Sequence, residues 1–282
     1  MFKYILALAL IQVTHDSAPC LATEQVAFKT PRSHIIDVQD SVSQRTYPLF
    51  IKLPRSYRVN EQNKYPVIYL TDAWYAFQIV SGATRFPMNF GKMEESIIAG
   101  ISYSKGSHGS SNRERDYTPS HDKNWRMLTG QAREHMDFIE KDVFSYIEKN
   151  YRADPFDRTF VGNSFGGLFG TYILLNNPSM FKNYVLGSPS YWWDQRMIFD
   201  LESKVPNKKS TIAANVFIAV GELETKKNGH NDMVKDAIEF HSRLLAWNQP
   251  RLKTKLMIIP EASHETAFPT TAIQGLYWLY KK

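Results

Sequence analysis

Gly162-Asn163-Ser164-Phe165-Gly166-Gly167 sets a serine between glycines in the G-x-S-x-G spacing. It directly follows the apolar run Thr159-Phe160-Val161 and precedes the helical run Leu168–Leu175. A strand that turns sharply into a helix leaves no space for a Cβ beside the turn, so glycine at both flanks is what that geometry demands. Such a turn presents one side chain at the top of the sheet. A serine hydroxyl there becomes a nucleophile once a base takes its proton and a carboxylate orients the base. The structural alternative is a tight turn with a capping serine.

On a strand–turn–helix scaffold the chain order is nucleophile, acid, base. Of the eight histidines, three follow Ser164: His230, His241 and His264. His264 lies in Pro260-Glu261-Ala262-Ser263-His264-Glu265, just past the last apolar strand and before the final helix, where a base above the sheet belongs. His241 falls inside a helical pattern beside Phe240 and reads as structural, and His230 lies in a polar loop beside Gly229. For the acid, Gly221-Glu222-Leu223-Glu224 follows the strand Val216–Val220. Glu224 is favoured over Glu222, while Asp232 and Asp236 remain open. The oxyanion needs preorganised N–H donors. By position these are the amides of Phe165 and of Trp74, which follows Leu70-Thr71-Asp72-Ala73.

Elements that could hold these groups are legible along the chain. His34–Leu53 alternates apolar and polar residues around Ser41–Gln44, predicting an antiparallel hairpin. Short continuous apolar runs follow at Pro66–Leu70, Ser96–Ile101, Thr159–Val161, Tyr184–Leu186, Val216–Val220 and Lys255–Ile259. Runs of that kind belong to a sheet covered on both faces. Helical periodicity is clear over Glu134–Tyr151, Asp232–Leu245 and Ala267–Tyr280. Strands alternating with helices predict an α/β fold with a mostly parallel, doubly wound sheet and right-handed crossovers. Tyr103–Trp125 carries no periodicity and is expected to be a long loop over the carboxyl edge of the sheet. No repeat or linker divides residues 23–282, which are expected to form one domain.

Composition bounds the function. With 43% apolar and 22% charged residues in 282, the chain is neither disordered nor polytopic. Its 34 Lys and Arg against 28 Asp and Glu give a net charge of +6, which favours anionic ligands. The basic residues are spread through the chain, so no nucleic-acid partner is expected. One cysteine, Cys20, excludes a disulfide framework and any multi-cysteine metal site. No cofactor or metal is required.

Met1-Phe2-Lys3 and the apolar run Tyr4–Ile11 read as a secretory signal peptide over residues 1–22, cleaved after Ala22. That predicts a periplasmic or secreted protein without stable membrane association. A lipoprotein attached through Cys20 is disfavoured by Pro19 immediately before it, and an uncleaved anchor is the remaining alternative.

Tyr65–Asp72, Arg115-Asp116-Tyr117-Thr118-Pro119, Gly162–Gly167, Ser188-Pro189-Ser190-Tyr191-Trp192-Trp193 and Ser263-His264-Glu265 together resemble the putative-esterase branch of the α/β-hydrolase superfamily. That branch includes siderophore (enterobactin-type) esterases and relatives of S-formylglutathione hydrolase and feruloyl esterase. The resemblance spans nearly the whole mature chain. It implies an α/β-hydrolase fold and a metal-free serine hydrolase of carboxylic esters, with Ser164 as nucleophile, His264 as base and Trp74 with Phe165 as oxyanion donors. Asn163 stands where relatives often have His, and Ala73 where many have Gly. Siderophore esterases of this type include Ser/His dyads, which leaves Glu224 open.

The substrate is expected to be a small or medium ester. Arg113 and Arg115, with Lys123 and Arg126 nearby, could draw in an anionic ester such as a ferric catecholate siderophore, and Tyr191, Trp192 and Trp193 could stack on its rings. The ordinary alternatives are an Arg115–Asp116 ion pair and aromatic core packing. An acyltransferase on the same scaffold and a non-catalytic binding protein are the competing functions, and the intact nucleophile turn and base disfavour the second.

Overall fold

The structure, a computed structural model, describes residues 27–204, 212–229 and 231–282. The expected leader, Cys20 and His230 lie outside them. Eight strands form a single sheet in the order β1-β2-β4-β3-β5-β6-β7-β8. β1 (Ser33–Gln39) and β2 (Thr46–Lys52) make the expected hairpin, and β2 also runs antiparallel to β4 (Ile97–Ile101). From β4 onward every pairing is parallel: β3 (Tyr65–Leu70), β5 (Ala153–Asn163), β6 (Asn183–Gly187), β7 (Ala214–Gly221) and β8 (Leu252–Ile259).

The continuous apolar runs are explained by helices on both faces. Alternate side chains divide between two cores, as the two-residue period of a strand requires. Tyr69, Phe160, Leu186 and Ile218 point into one, with α3 (Ala132–Phe138), α4 (Phe144–Asn150), α5 (Phe165–Asn176), α6 (Trp193–Ser203) and α7 (Met233–Ala246). Leu70, Val161, Val185 and Ala219 point into the other, under α1 (Ala73–Asn89) and α8 (His264–Tyr280). The long helix expected over Glu134–Tyr151 is α3 and α4 joined through one π-helical stretch, Ile139–Val143.

One expectation fails. Tyr103–Trp125 is not a loop throughout, because Gly109–Tyr117 forms α2. Its inward face is Asn112, Arg115, Asp116 and Tyr117, a set too polar to register as apolar periodicity. Hydrogen bonds hold that face in place: Asn112 Nδ2 donates to Asp116 Oδ2 at 2.9 Å, Tyr47 Oη donates to the same oxygen at 2.9 Å, and Asn112 Oδ1 accepts from the Ser104 amide at 2.8 Å.

Candidate active site

β5 ends at Asn163 and α5 begins at Phe165, so the turn between them is Ser164 alone. Its backbone sits at φ 59°, ψ −118°, a region that L-residues avoid and that costs on the order of 1–3 kcal/mol. The flanking glycines make that turn possible. A Cβ on Gly162 would lie 2.4 Å from the Gly166 carbonyl oxygen, and one on Gly166 would lie 2.5 Å from Thr71 Oγ1. The second contact shows how closely the Ser164 turn abuts the end of β3. The N-termini of α1 and α5 therefore meet above neighbouring strands. The first amides of a helix have no intrahelical acceptor, and those of Trp74 and Phe165 head these two helices.

Glu224 follows the end of β7 by three residues and is fully buried. His264 is the first residue of α8, behind Ser263, whose side chain closes a capping box with Thr266. His264 Nδ1 lies 2.6 Å from Glu224 Oε2. The other carboxylate oxygen accepts from the Ser188 hydroxyl at 2.6 Å and the Gly221 amide at 2.7 Å. Glu222 turns elsewhere and accepts from the Glu261 amide at 2.9 Å. Asp232 caps α7, Asp236 pairs with Arg196 at 3.0 Å, and His241 contacts Thr254 at 3.1 Å. Of the acid and base candidates that the structure describes, only Glu224 and His264 meet.

Ser164 and His264 line one cavity of about 360 Å³ with Asp72, Tyr75, Tyr103, Arg113, Asn163 and Glu265. Ser164 Oγ is hydrogen-bonded to Ser190 Oγ at 3.1 Å.

A second charged pair shapes the same cavity. Arg113 Nε donates to Asp72 Oδ1 at 2.8 Å, and its Nη2 donates to the Asn163 carbonyl at 3.3 Å. Its guanidinium lies 5.8 Å from the centre of the Phe165 ring. Burial pushes the Asp72 carboxyl up, while Arg113 and the Tyr103 and Thr71 hydroxyls pull it back. The Tyr103 phenol is pushed up by burial and by the Asp72 carboxylate, so it stays a neutral donor at neutral pH. The wall facing Ser164 thus offers an arginine–aspartate ion pair and phenolic hydroxyls. Asp72, Tyr75 and Tyr103 were not singled out as site residues from the sequence. Their one signal was Asp72 closing the apolar run of β3.

The expected substrate-binding residues need correction. Arg115 does not line the cavity. It lies beneath α2, with Nε donating to Asp116 Oδ1 at 2.6 Å and Nη2 to Asn112 Oδ1 at 2.9 Å. Residues two apart on a helix face nearly opposite ways, and it is Arg113 that points to the site. Tyr191 is fully buried, packs against Phe240 and shares a hydrogen bond with Thr171 at 2.9 Å. Trp193 is also core, and its indole N–H donates to Ser120 at 3.0 Å. Trp192 remains half-buried beside Phe165, with ring centres 5.8 Å apart, and is not among the cavity's lining residues. The Trp74 indole is 62% exposed and packs edge-on against Phe50.

Comparison with known proteins decides the kinship of this constellation. The family described as "Putative esterase" matches residues 41–247. The chain belongs to that family. Ferri-bacillibactin esterase BesA of Bacillus subtilis is 30% identical over 274 residues, covering 89% of this chain and 90% of that one. The crystal structure of the BES protein from Bacillus cereus superposes with a TM-score of 0.81 at 28% identity, over 92% of this chain and 98% of that one. An IroE-like serine hydrolase from Shewanella oneidensis gives 0.76 at 25% identity, over 88% and 80%. The resemblance read from the sequence motifs is therefore kinship, and the protein is an ester hydrolase with an α/β-hydrolase sheet. No helix among the described residues of this esterase is long and apolar enough to cross a membrane.

Proposed function

We propose that this esterase cleaves siderophore-type carboxylic esters through an acyl-enzyme on Ser164, with His264 as general base and Glu224 as the carboxylate that orients it. The observation that carries the reading is the 2.6 Å contact between His264 Nδ1 and buried Glu224, with His264 and Ser164 opening on one cavity. With Nδ1 bound to the carboxylate, Nε2 is the nitrogen left to accept the Ser164 proton. As that proton moves, Ser164 Oγ attacks the ester carbonyl carbon. The negative charge that develops on the carbonyl oxygen is met by the Phe165 and Trp74 amides at the two helix N-termini. Collapse breaks the bond to the leaving alkoxide, which takes the proton from His264. Water then repeats the sequence and frees the acid.

The substrate class rests on the Arg113 side of the cavity and on the relatives. An Arg113 guanidinium, paired on one side with Asp72 and set beside neutral phenols, suits an oxygen-rich aromatic acyl group such as a ferric catecholate, and a relative aligned over nearly the whole chain is a ferri-bacillibactin esterase. The relatives' names favour water over a second hydroxyl as the acceptor. Residues 1–22 support export to the periplasm or medium, where such a substrate would be met. The test is turnover of p-nitrophenyl acetate and butyrate beside a ferric catecholate ester. The reading expects hydrolysis of all three and a lower KM for the catecholate; activity confined to the neutral esters would remove the siderophore assignment.

A further inference from the structure

β6 ends at Gly187, and the next three residues, Ser188-Pro189-Ser190, run beneath both ends of the catalytic constellation. Ser188 is fully buried and sits at φ 37°, a strained backbone that its surroundings must hold. Its amide donates to the Ala219 carbonyl on β7 at 2.7 Å, and its hydroxyl donates to Glu224 Oε1 at 2.6 Å. Ser190 is 1% exposed. Its amide donates to the Ser164 carbonyl at 3.1 Å, and its hydroxyl lies 3.1 Å from Ser164 Oγ. Pro189, with its φ locked by the ring, spaces the two serines. One tripeptide therefore reaches the acid with its first hydroxyl and the nucleophile with its last.

We propose that Ser188-Pro189-Ser190 is a clasp for the triad, in which Ser188 positions the Glu224 carboxylate and Ser190 donates a hydrogen bond to Ser164 Oγ. The inference rests on Ser164, His264 and Glu224 acting as proposed above. The donor direction follows from the chemistry. When Ser164 gives its own proton to His264, the proton shared with Ser190 is Ser190's. That proton stays on Ser190 throughout, but its bond strengthens as charge builds on Ser164 Oγ during attack and again when Oγ leaves in deacylation. Ser188 acts at one remove. Glu224 has two oxygens, and occupying Oε1 with the Ser188 hydroxyl and Gly221 amide leaves Oε2 aimed at His264. Charged and titratable groups facing His264 from elsewhere are Asp72 with Arg113, Tyr75 and Tyr103 across the cavity, and Glu265 beside it on α8. Substituting either serine leaves all of them in place.

The test compares wild type, Ser188→Ala and Ser190→Ala in two readouts, with melting temperature as the check on folding. The first is the rate of labelling by a fluorophosphonate, which needs the nucleophile but no bound ester. The second is the proton NMR resonance of the hydrogen shared by His264 Nδ1 and Glu224, which needs no turnover. Ser190→Ala is expected to slow labelling about tenfold, as the loss of one bond to a charged oxygen implies, and to leave the resonance in place. Ser188→Ala is expected to move the resonance downfield, because a carboxylate that has lost one donor accepts more strongly from its remaining partner. Folded variants that label at the wild-type rate and keep the resonance at its wild-type position overturn the clasp. Equal losses in labelling and melting temperature with an unmoved resonance also overturn it, since they mark a packing role alone. Failure of the wild type itself to label contradicts the nucleophile assignment instead, and the Ser188→Ala resonance still decides whether that serine governs Glu224.

Discussion

Among the described residues two histidines lie beside carboxylates, His264 with Glu224 and His135 with Asp116, and their settings differ sharply. His264 meets Glu224 at 2.6 Å at the head of α8, with one side of the ring open to the cavity that holds Ser164. His135 lies 3.7 Å from Asp116 in an aromatic box of Tyr47, Tyr117, Phe138 and Phe169, and neither ring nitrogen has a hydrogen-bond partner. Burial pushes the His135 imidazole below its ordinary value of 6.5, so it is neutral and inert. A carboxylate near an imidazole is thus not by itself catalytic. What separates the pairs is where the fold puts them: one at the carboxyl ends of β7 and β8, the other under α2.

The largest effects that would sharpen this contrast are on turnover. Ser164→Ala and His264→Ala are expected to lower kcat/KM by about a thousandfold or more with unchanged melting, and Glu224→Gln by roughly a hundredfold or more. Full activity in Glu224→Gln would reduce the triad to a dyad. The opposite result is expected beneath α2. Arg115→Met leaves the buried Asp116 carboxylate without its cation, and should cost about 3–5 kcal/mol in urea unfolding while leaving kcat within a few-fold.

Arg113, two residues earlier, also pairs with a buried carboxylate, Asp72, so its removal costs stability too, but unlike Arg115 it lines the cavity. Arg113→Met should raise KM about tenfold for an anionic ester and little for a neutral one, read as the ratio of the two kcat/KM values. The smallest effect concerns His135. Its proton affinity is depressed in the folded chain, so below about pH 6.5 the unfolded chain binds a proton that the folded one refuses, and stability falls as pH drops. His135→Phe should flatten the decline in melting temperature between about pH 6.5 and 5. An unchanged slope would show that other groups dominate acid unfolding.

The contrast also explains what the sequence could and could not reveal. The Ser164 turn was legible because its requirement is local: Gly162 and Gly166 are dictated by atoms within a few ångströms. The parallel strands were legible because burial on both faces leaves continuous apolar runs. Helix α2 was not, since its buried side is held by polar bonds rather than apolar contact. The two arginines on it are nearly opposite in direction by helix geometry alone, but which one faces the cavity depends on the partners Asp72 and Asp116, set by β3 and by α2 itself. Tyr191 and Trp193 have the composition of a ligand platform, and only the path of Ser188-Pro189-Ser190 turns them into the core. That same path gives the two serines their contacts with Glu224 and Ser164, which no spacing in the sequence announces.

The most direct measurement is fluorophosphonate labelling of the purified protein, with the adduct located by mass spectrometry and the rate compared in His264→Ala. The account predicts a single adduct on Ser164, formed at least a hundredfold more slowly without His264. An adduct on another residue, or a rate indifferent to His264, would contradict it.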